Sequence, residues 1–311
     1  MQLPRPTATQ MRRLAIAALV VNIVIVVTGG AVRLTGSGLG CPSWPTCSET
    51  SYVSHPELGI HGWIEFGNRL MTFVVAGVVG LAWLAALRFR PRRPDLVRPA
   101  TILLLGVPLQ AVMGGITVLT DLNPWTVSAH FMLSPTLIAV AVVFVCRAGE
   151  PKGSRTLAAP LSVRRLSQAT LATTFLVMYA GTIVTGTGPH AGDARAPRIP
   201  LDSEMVSQFH ADLVFLLLGL TIGTLVALHA TGAPGRARRA AATLLGLELA
   251  QGAVGFVQYW TGLPELLVGI HLLGSALLVA SATWVVAGTT KHLHEPSEPR
   301  TRAERSKLAH I

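Results

Sequence analysis

The sequence predicts an all-α polytopic membrane protein of eight transmembrane helices, arranged as two tandem, pseudo-symmetric four-helix bundles. Three observations predict it. The 311 residues are 50% hydrophobic and only 13% charged, with a mean hydropathy of +0.53, which excludes an ordinary soluble protein. Eight apolar runs can each cross a hydrocarbon core of about 30 Å, which takes roughly 20 helical residues. Lys and Arg gather in alternate connections, as they do when cytoplasmic loops retain them.

The first run, 14–34, follows Arg5, Arg12 and Arg13. It exceeds a signal-peptide core and lacks a small-residue cleavage site, so it reads as a retained span. A long outer connection leads to the second run, 63–87, after which come Arg88, Arg90, Arg92, Arg93 and Arg98. Runs three and four, 99–119 and 126–147, are joined by a short outer turn. Arg147, Lys152, Arg155, Arg164 and Arg165 then lead into the fifth, 166–186. The sixth is 205–229, Arg236, Arg238 and Arg239 introduce the seventh, 239–259, and the eighth is 266–288. Lys291, Arg300, Arg302, Arg305 and Lys307 follow it. Twenty-one of the 25 basic residues thus fall on one side, which puts both termini in the cytoplasm. Arg33, Arg195 and Arg198 remain outside and Arg69 inside a span. The net charge of +10 therefore reflects orientation in the lipid bilayer and excludes a nucleic-acid surface, because no basic face with interleaved aromatics accompanies it.

Residues 1–150 and 151–311 read as related halves. Gln110-Ala-Val-Met-Gly-Gly resembles Gln251-Gly-Ala-Val-Gly-Phe, and each copy reaches a histidine 20 residues on, His130 and His271. Both the Gln pair and the His pair are offset by 141. Thr35-Gly-Ser-Gly pairs with Thr185-Gly-Thr-Gly, and Asn68-Arg-Leu-Met-Thr-Phe with His210-Ala-Asp-Leu-Val-Phe. Spans one to four thus repeat as five to eight, related by an axis along the membrane normal.

His130, His210 and His271 lie within roughly five turns of the outer end of an apolar helix, where an ionisable side chain normally has a bound partner. His210 and His271 come at similar depth, so two neutral imidazoles can face each other across a bundle, as a six-coordinate haem iron requires. A hydrogen-bonded packing histidine is the competing reading. Zinc fits less well, since no third N or S ligand stands at helical spacing beside either residue. The remaining histidines fall in loops, tails or span ends and read as solvated.

In the first half the position matching His210 is Asn68, inside His61-Gly-Trp-Ile-Glu-Phe-Gly-Asn-Arg69. His61, Glu65, Asn68 and Arg69 share one helix face. Glu65 and Arg69 read either as an i, i+4 ion pair or as part of a reactive pocket. Cys41-Pro-Ser-Trp-Pro-Thr-Cys47, on the oxidising side, has a spacing that permits a disulfide, either a staple for the connection or a labile redox pair. Cys146 reads as a free thiol.

Gly29-Gly-Ala-Val-Arg-Leu-Thr-Gly-Ser-Gly-Leu-Gly-Cys-Pro-Ser-Trp-Pro-Thr-Cys47, Glu65 to Arg69, and Gly186-Thr-Gly-Pro-His-Ala-Gly-Asp193 resemble the haem A synthase family of bacteria and mitochondria. The resemblance runs through all eight spans. It implies oxidation of the C8 methyl of haem O to the formyl group of haem A, for aa3-type oxidases. It also implies a resident haem b held by His210 and His271, and a substrate porphyrin in the N-terminal half near His130, with Glu65 as the functional carboxylate. Arg33 and Arg69 are candidates for the porphyrin propionates. The family commonly has Glu-x-x-His-Arg where this chain has Asn68, so His130 is left as the ligand there. The second cysteine pair of many bacterial members is missing. The implied setting is the cell membrane with haem sites near the outer face. Implied partners are haem O, a haem O synthase, cytochrome oxidase assembly and a second copy of the chain. The competing readings are a b-type cytochrome that only relays electrons and a transporter with a polar site.

Overall fold

A computed structural model describes residues 5–151 and 153–292 of the chain. Lys152, Arg300, Arg302, Arg305 and Lys307, used above, lie outside the described residues, as do His294 and His310 among the remaining histidines. Eight helices follow in order: α1 (Ala8–Leu34), α2 (Gly59–Arg88), α3 (Pro94–Leu119), α4 (Pro124–Ala148), α5 (Leu161–Thr187), α6 (Ser203–Ala230), α7 (Gly235–Trp260) and α8 (Glu265–Gly288). All eight are long and apolar enough to cross a membrane, and the protein is a multi-pass membrane protein.

Most helices begin some residues before the apolar runs that announce them. The reason is capping: Thr7 and Gln10 close a reciprocal capping box ahead of α1, and Pro94 opens α3 with Asp95 in its first turn. Hydropathy registers only the hydrocarbon-length stretch, whereas the polar first turn belongs to the helix as well. A two-stranded antiparallel pair, β1 (Arg155–Leu157) with β2 (Thr290–His292), was not expected. It joins the α4–α5 connection to the segment after α8.

Within the first half α1 packs on α2, α2 on α3, α3 on α4 and α4 back on α1; the second half closes in the same order. The halves meet through α1, α4, α5 and α8. Three buried clusters correspond to these layers. One fills the first bundle around Val79, Leu103 and Phe144, one the second around Leu228, Leu244 and Val285, and one lies between them around Val26, Ile138, Val142 and Val279. In lipid, helices gain little from hydrophobic burial and associate through close packing at small residues. Gly30 of α1 shows this, because a Cβ there would stand 2.0 Å from Leu272 of α8.

The α3–α4 and α7–α8 turns adopt one conformation. Asp121 and Leu122 (φ 51° and 57°) match Gly262 and Leu263 (φ 78° and 62°) at the offset of 141. Leu122 N–H donates to the Thr117 carbonyl at 2.8 Å, and Leu263 N–H to the Gln258 carbonyl at 2.7 Å. The opposite end of the bundle is tied by arginines: Arg93 holds Asp95 and the carbonyls of Arg147 and Glu150, while Arg236 reaches Glu150 and the Thr290 carbonyl.

Candidate functional site

The 35–58 connection folds back over the first bundle and is closed by a Cys41–Cys47 disulfide, both sulfurs fully buried. Glu65 and Arg69 form the expected i, i+4 ion pair, and they do more than neutralise each other. Glu65 Oε2 accepts the Cys41 N–H at 2.7 Å, and Oε1 accepts from Arg69 Nε and Nη2 at 3.1 and 2.6 Å. Arg69 then donates to the carbonyls of Thr46, Cys41 and Ser43 at 2.8, 3.0 and 3.0 Å. A half-buried guanidinium is thus saturated by one carboxylate and three carbonyls, which holds the disulfide loop as a rigid cap on α2. Gly40 permits that approach, since a Cβ there would meet the His61 carbonyl at 2.2 Å. From the same loop Trp44 lies on Gly115 of α3, where a Cβ would come 2.4 Å from its ring.

Gly114, the neighbour of Gly115, seats His130. A Cβ on Gly114 would lie 3.3 Å from the imidazole Cε1. The pattern recurs at His210 against Gly181 of α5 (3.2 Å) and at His271 against Gly255 of α7 (3.6 Å). Each imidazole lies edge-on to a helix whose missing side chain leaves it room. Asn68 takes the corresponding place in the first pair of helices: its Nδ2 lies 3.9 Å from a Cβ built on Gly29, and its Oδ1 accepts from Thr28 at 2.8 Å.

The rings differ in their partners. The Gln110 amide spans His130 Nδ1 at 2.9 Å and Ser134 Oγ at 2.8 Å. Its orientation follows the tautomer: an Nδ1–H donates to Oε1 while Nε2 donates to Ser134, and a bare Nδ1 accepts from Nε2 instead. Gln251, the repeat partner of Gln110, lies over Gly274, and both its Oε1 and His271 Nδ1 are buried without a hydrogen bond. His210 Nδ1 makes no hydrogen bond of normal geometry, the Val177 carbonyl being the acceptor beside it. His210 and His271 are near enough for the charge of one to act on the other. Among the described residues no three His, Cys, Asp or Glu side chains converge as a metal cage. Two imidazoles close enough to interact, their Nδ1 atoms buried and no carboxylate or thiolate completing a cluster, form a donor set suited to a planar metal cofactor.

Two histidines expected to be solvated make hydrogen bonds within the protein, His61 while staying exposed and His190 half-buried. His61 Nδ1 hydrogen-bonds buried Ser37 Oγ at 2.9 Å, and His190 Nε2 the Leu263 carbonyl at 2.8 Å. Arg33 closes the last turn of α1, where Nε donates to the His190 carbonyl at 2.6 Å and Nη2 to the Thr185 carbonyl at 3.2 Å. It therefore binds the first half to the loop after α5. In that loop, outside the spans, partial burial raises the Asp193 carboxyl, but hydrogen bonds from the Arg195 amide and guanidinium outweigh it and hold it below the usual range. The seat glycines, Trp44 and the Gln110–His130 contact were not identified from sequence. The shared offset of Gln110, Gly114 and His130 with Gln251, Gly255 and His271 was the signal for those residues, and no sequence signal marked Trp44 or Gly181.

The family described as "Cytochrome oxidase assembly protein" (COX15-CtaA) matches residues 12–196. The chain is 31% identical to a protein named heme A synthase from Geobacillus kaustophilus, over 48% of this chain and 46% of that protein. It is 30% identical to one of the same name from Geobacillus thermodenitrificans, over 52% and 50%. A third, from Azorhizobium caulinodans, is 28% identical over 89% of this chain and 93% of its own length. The chain thus spans about half the length of the two Geobacillus relatives it matches.

Proposed function

The chain belongs to the COX15-CtaA family of cytochrome oxidase assembly proteins, and from that premise we propose that it is a haem A synthase, oxidising the C8 methyl of haem O to a formyl group. The halves 1–150 and 151–311 are tandem copies with unequal roles. His210 and His271 hold a resident haem b, and His130 ligates the substrate haem. The chain lies in the cell membrane with both termini cytoplasmic and the haem sites near the outer face. It draws haem O from a haem O synthase, serves cytochrome oxidase assembly and acts as a homo-oligomer.

The observation that carries this reading is the pair of buried, mutually interacting imidazoles seated on Gly181 and Gly255, with His271 Nδ1 lacking a partner. A neutral histidine binds iron through Nε2 and keeps a proton on Nδ1, so it needs a nearby acceptor. Gln251 Oε1, buried and unpartnered, is available to His271, and Val177 to His210. The donor set fits haem. When bound, haem supplies one-electron redox chemistry, and the protein supplies ligation, orientation and electrostatics. Glu65 anchors the loop through its Cys41 contact and places negative charge on the substrate side, favouring an electron-poor methyl carbon and aligning water. Arg69, with every nitrogen committed, holds the lid. Arg33 retains Nη1 for a propionate. The disulfide loop with Trp44 covers the porphyrin edge near Gly115 and limits solvent entry.

The reading is tested by co-expressing the chain with a haem O synthase in a host that makes no haem A and weighing the extracted haems. Haem A is expected; haem B and haem O alone, from folded protein, would reject the enzyme. Gln110 orients His130, and removing such a partner typically costs about 10- to 100-fold in metal affinity or activity. Gln110→Leu should weaken haem binding in the N-terminal half by that order while the His210–His271 spectrum stays put. Unaltered titration of haem into this variant would remove Gln110 from the site.

A further inference from the structure

Glu248 has no part in the reactions above. It lies midway along α7, 3% exposed, in the core of the second bundle. Thr221 Oγ1 of α6 donates to its Oε1 at 2.7 Å, and Oε2 has no partner. A buried carboxyl with one oxygen unsatisfied is costly in a membrane interior and normally marks a function. The bundle does not require an acid there: at the repeat offsets the first half has Val107 for Glu248 and Val79 for Thr221.

The surroundings of Glu248 are polar in both directions: Gln251, three residues toward the outer end of α7, has a buried Oε1 without a hydrogen bond. One turn along α6 from Thr221, toward the arginine-rich end, Thr224 Oγ1 lies 3.0 Å from Thr170 Oγ1 of α5, and Ser167, Thr174 and Thr283 are buried at neighbouring depths. Thr224 and Thr170 thus place one hydroxyl pair between Glu248 and the end assigned to the cytoplasm. Toward the other end, Gly255, the seat of His271, is seven residues from Glu248, about 10 Å along the helix axis. The helices packed against α7 are α6 and α8. Their titratable groups are Glu204, His210, Asp212 and His229 on α6 and Glu265 and His271 on α8, and none of them pairs with Glu248 among the described residues.

We propose that Glu248 is a proton-loading site: its proton affinity rises, and it takes up to about half a proton per electron from cytoplasmic water, when an electron arrives at a haem held by His210 and His271. This deepens the haem A synthase reading and rests on it. The electron derives from the methyl group being oxidised in the other half, ferric iron becomes ferrous, and that fraction of the carboxylate becomes the acid. Reoxidation by a one-electron acceptor, the redox mediator in the titration below, passes the electron to that acceptor and returns the proton to water. The physical reason is charge balance. An added negative charge about 10 Å away in a low-dielectric core changes proton affinity by on the order of tenfold.

The test is a mediator redox titration of the full-length protein with its co-purified haem between about pH 5 and 9, a window that spans shifted carboxyl groups. For one electron a tenfold coupling is about 59 mV, so the wild-type midpoint should fall by about that much in total with rising pH. Glu248→Gln should keep the haem spectrum and lose most of that fall; propionates contribute equally to both proteins. Thr221→Val removes the hydroxyl donor and should move the centre of the pH dependence upward, even where Glu248→Gln binds haem poorly. Equal pH dependence in wild type and Glu248→Gln, or an unmoved centre in Thr221→Val, overturns the proton site while leaving the haem reading intact. A wild-type chain that binds no haem overturns both.

Discussion

Replacing His271 by Met should abolish the spectrum of two axial imidazoles and raise the potential of whatever haem remains, as substitution of a thioether for an imidazole does. His271 sits on Gly255 with its Nδ1 buried and unpartnered, near enough to His210 to feel its charge. The variant alters a proposed ligand and not merely its support, so affinity should fall by roughly 100-fold or more, beyond what loss of a ligand's hydrogen-bond partner typically costs. Haem-to-protein ratio and the reduced-minus-oxidised spectrum of purified protein are the measurements. His130→Met is the companion variant, expected to leave the C-terminal spectrum unchanged because His130 lies in the other bundle on Gly114. An unaltered spectrum in His271→Met would remove it as a ligand and, with it, the strongest support for a resident haem.

Glu65→Gln should lose product formation by about 100- to 1,000-fold, the usual worth of one preorganised electrostatic group, while C-terminal haem is retained. The amide cannot reproduce both carboxylate contacts. If its oxygen accepts from Arg69, its NH2 faces the Cys41 N–H; if it turns over, the NH2 faces the guanidinium. In either orientation Arg69 loses its counter-charge but keeps the carbonyls of Cys41, Ser43 and Thr46, so the loop stays docked. Haem A yield in the co-expression host, beside the spectrum of the purified variant, separates the two effects. Full activity would reduce Glu65 to a clamp for the disulfide loop.

Much of this protein was legible in one dimension. Eight spans followed from apolar length, because lipid acts on each helix separately. The Cys41–Cys47 disulfide followed from short spacing, and the Glu65–Arg69 pair from one turn of helix. The shared offset of 141 marked His130 and His271 as a pair. Sequence alone thus determined the helices, their count and the residue types at each depth, all consequences of local periodicity and solvent preference.

Which partner each side chain meets was decided only by the tertiary structure. Arg69 grasps three carbonyls of a loop more than 20 residues away, and Arg33 grasps carbonyls at Thr185 and His190, contacts that no helical period encodes. Asn68, read as a departure from its histidine counterpart, occupies the analogous glycine-backed place but satisfies Thr28 instead. Glu248 passed unnoticed as one carboxylate in a moderately apolar run. Its meaning emerged when α6 brought Thr221 to one oxygen and the packing left the other without a partner. Unsatisfied polar groups and glycine seats are properties of pairs of helices, since a hydrogen bond or a missing Cβ matters only once a second backbone arrives within 3–4 Å.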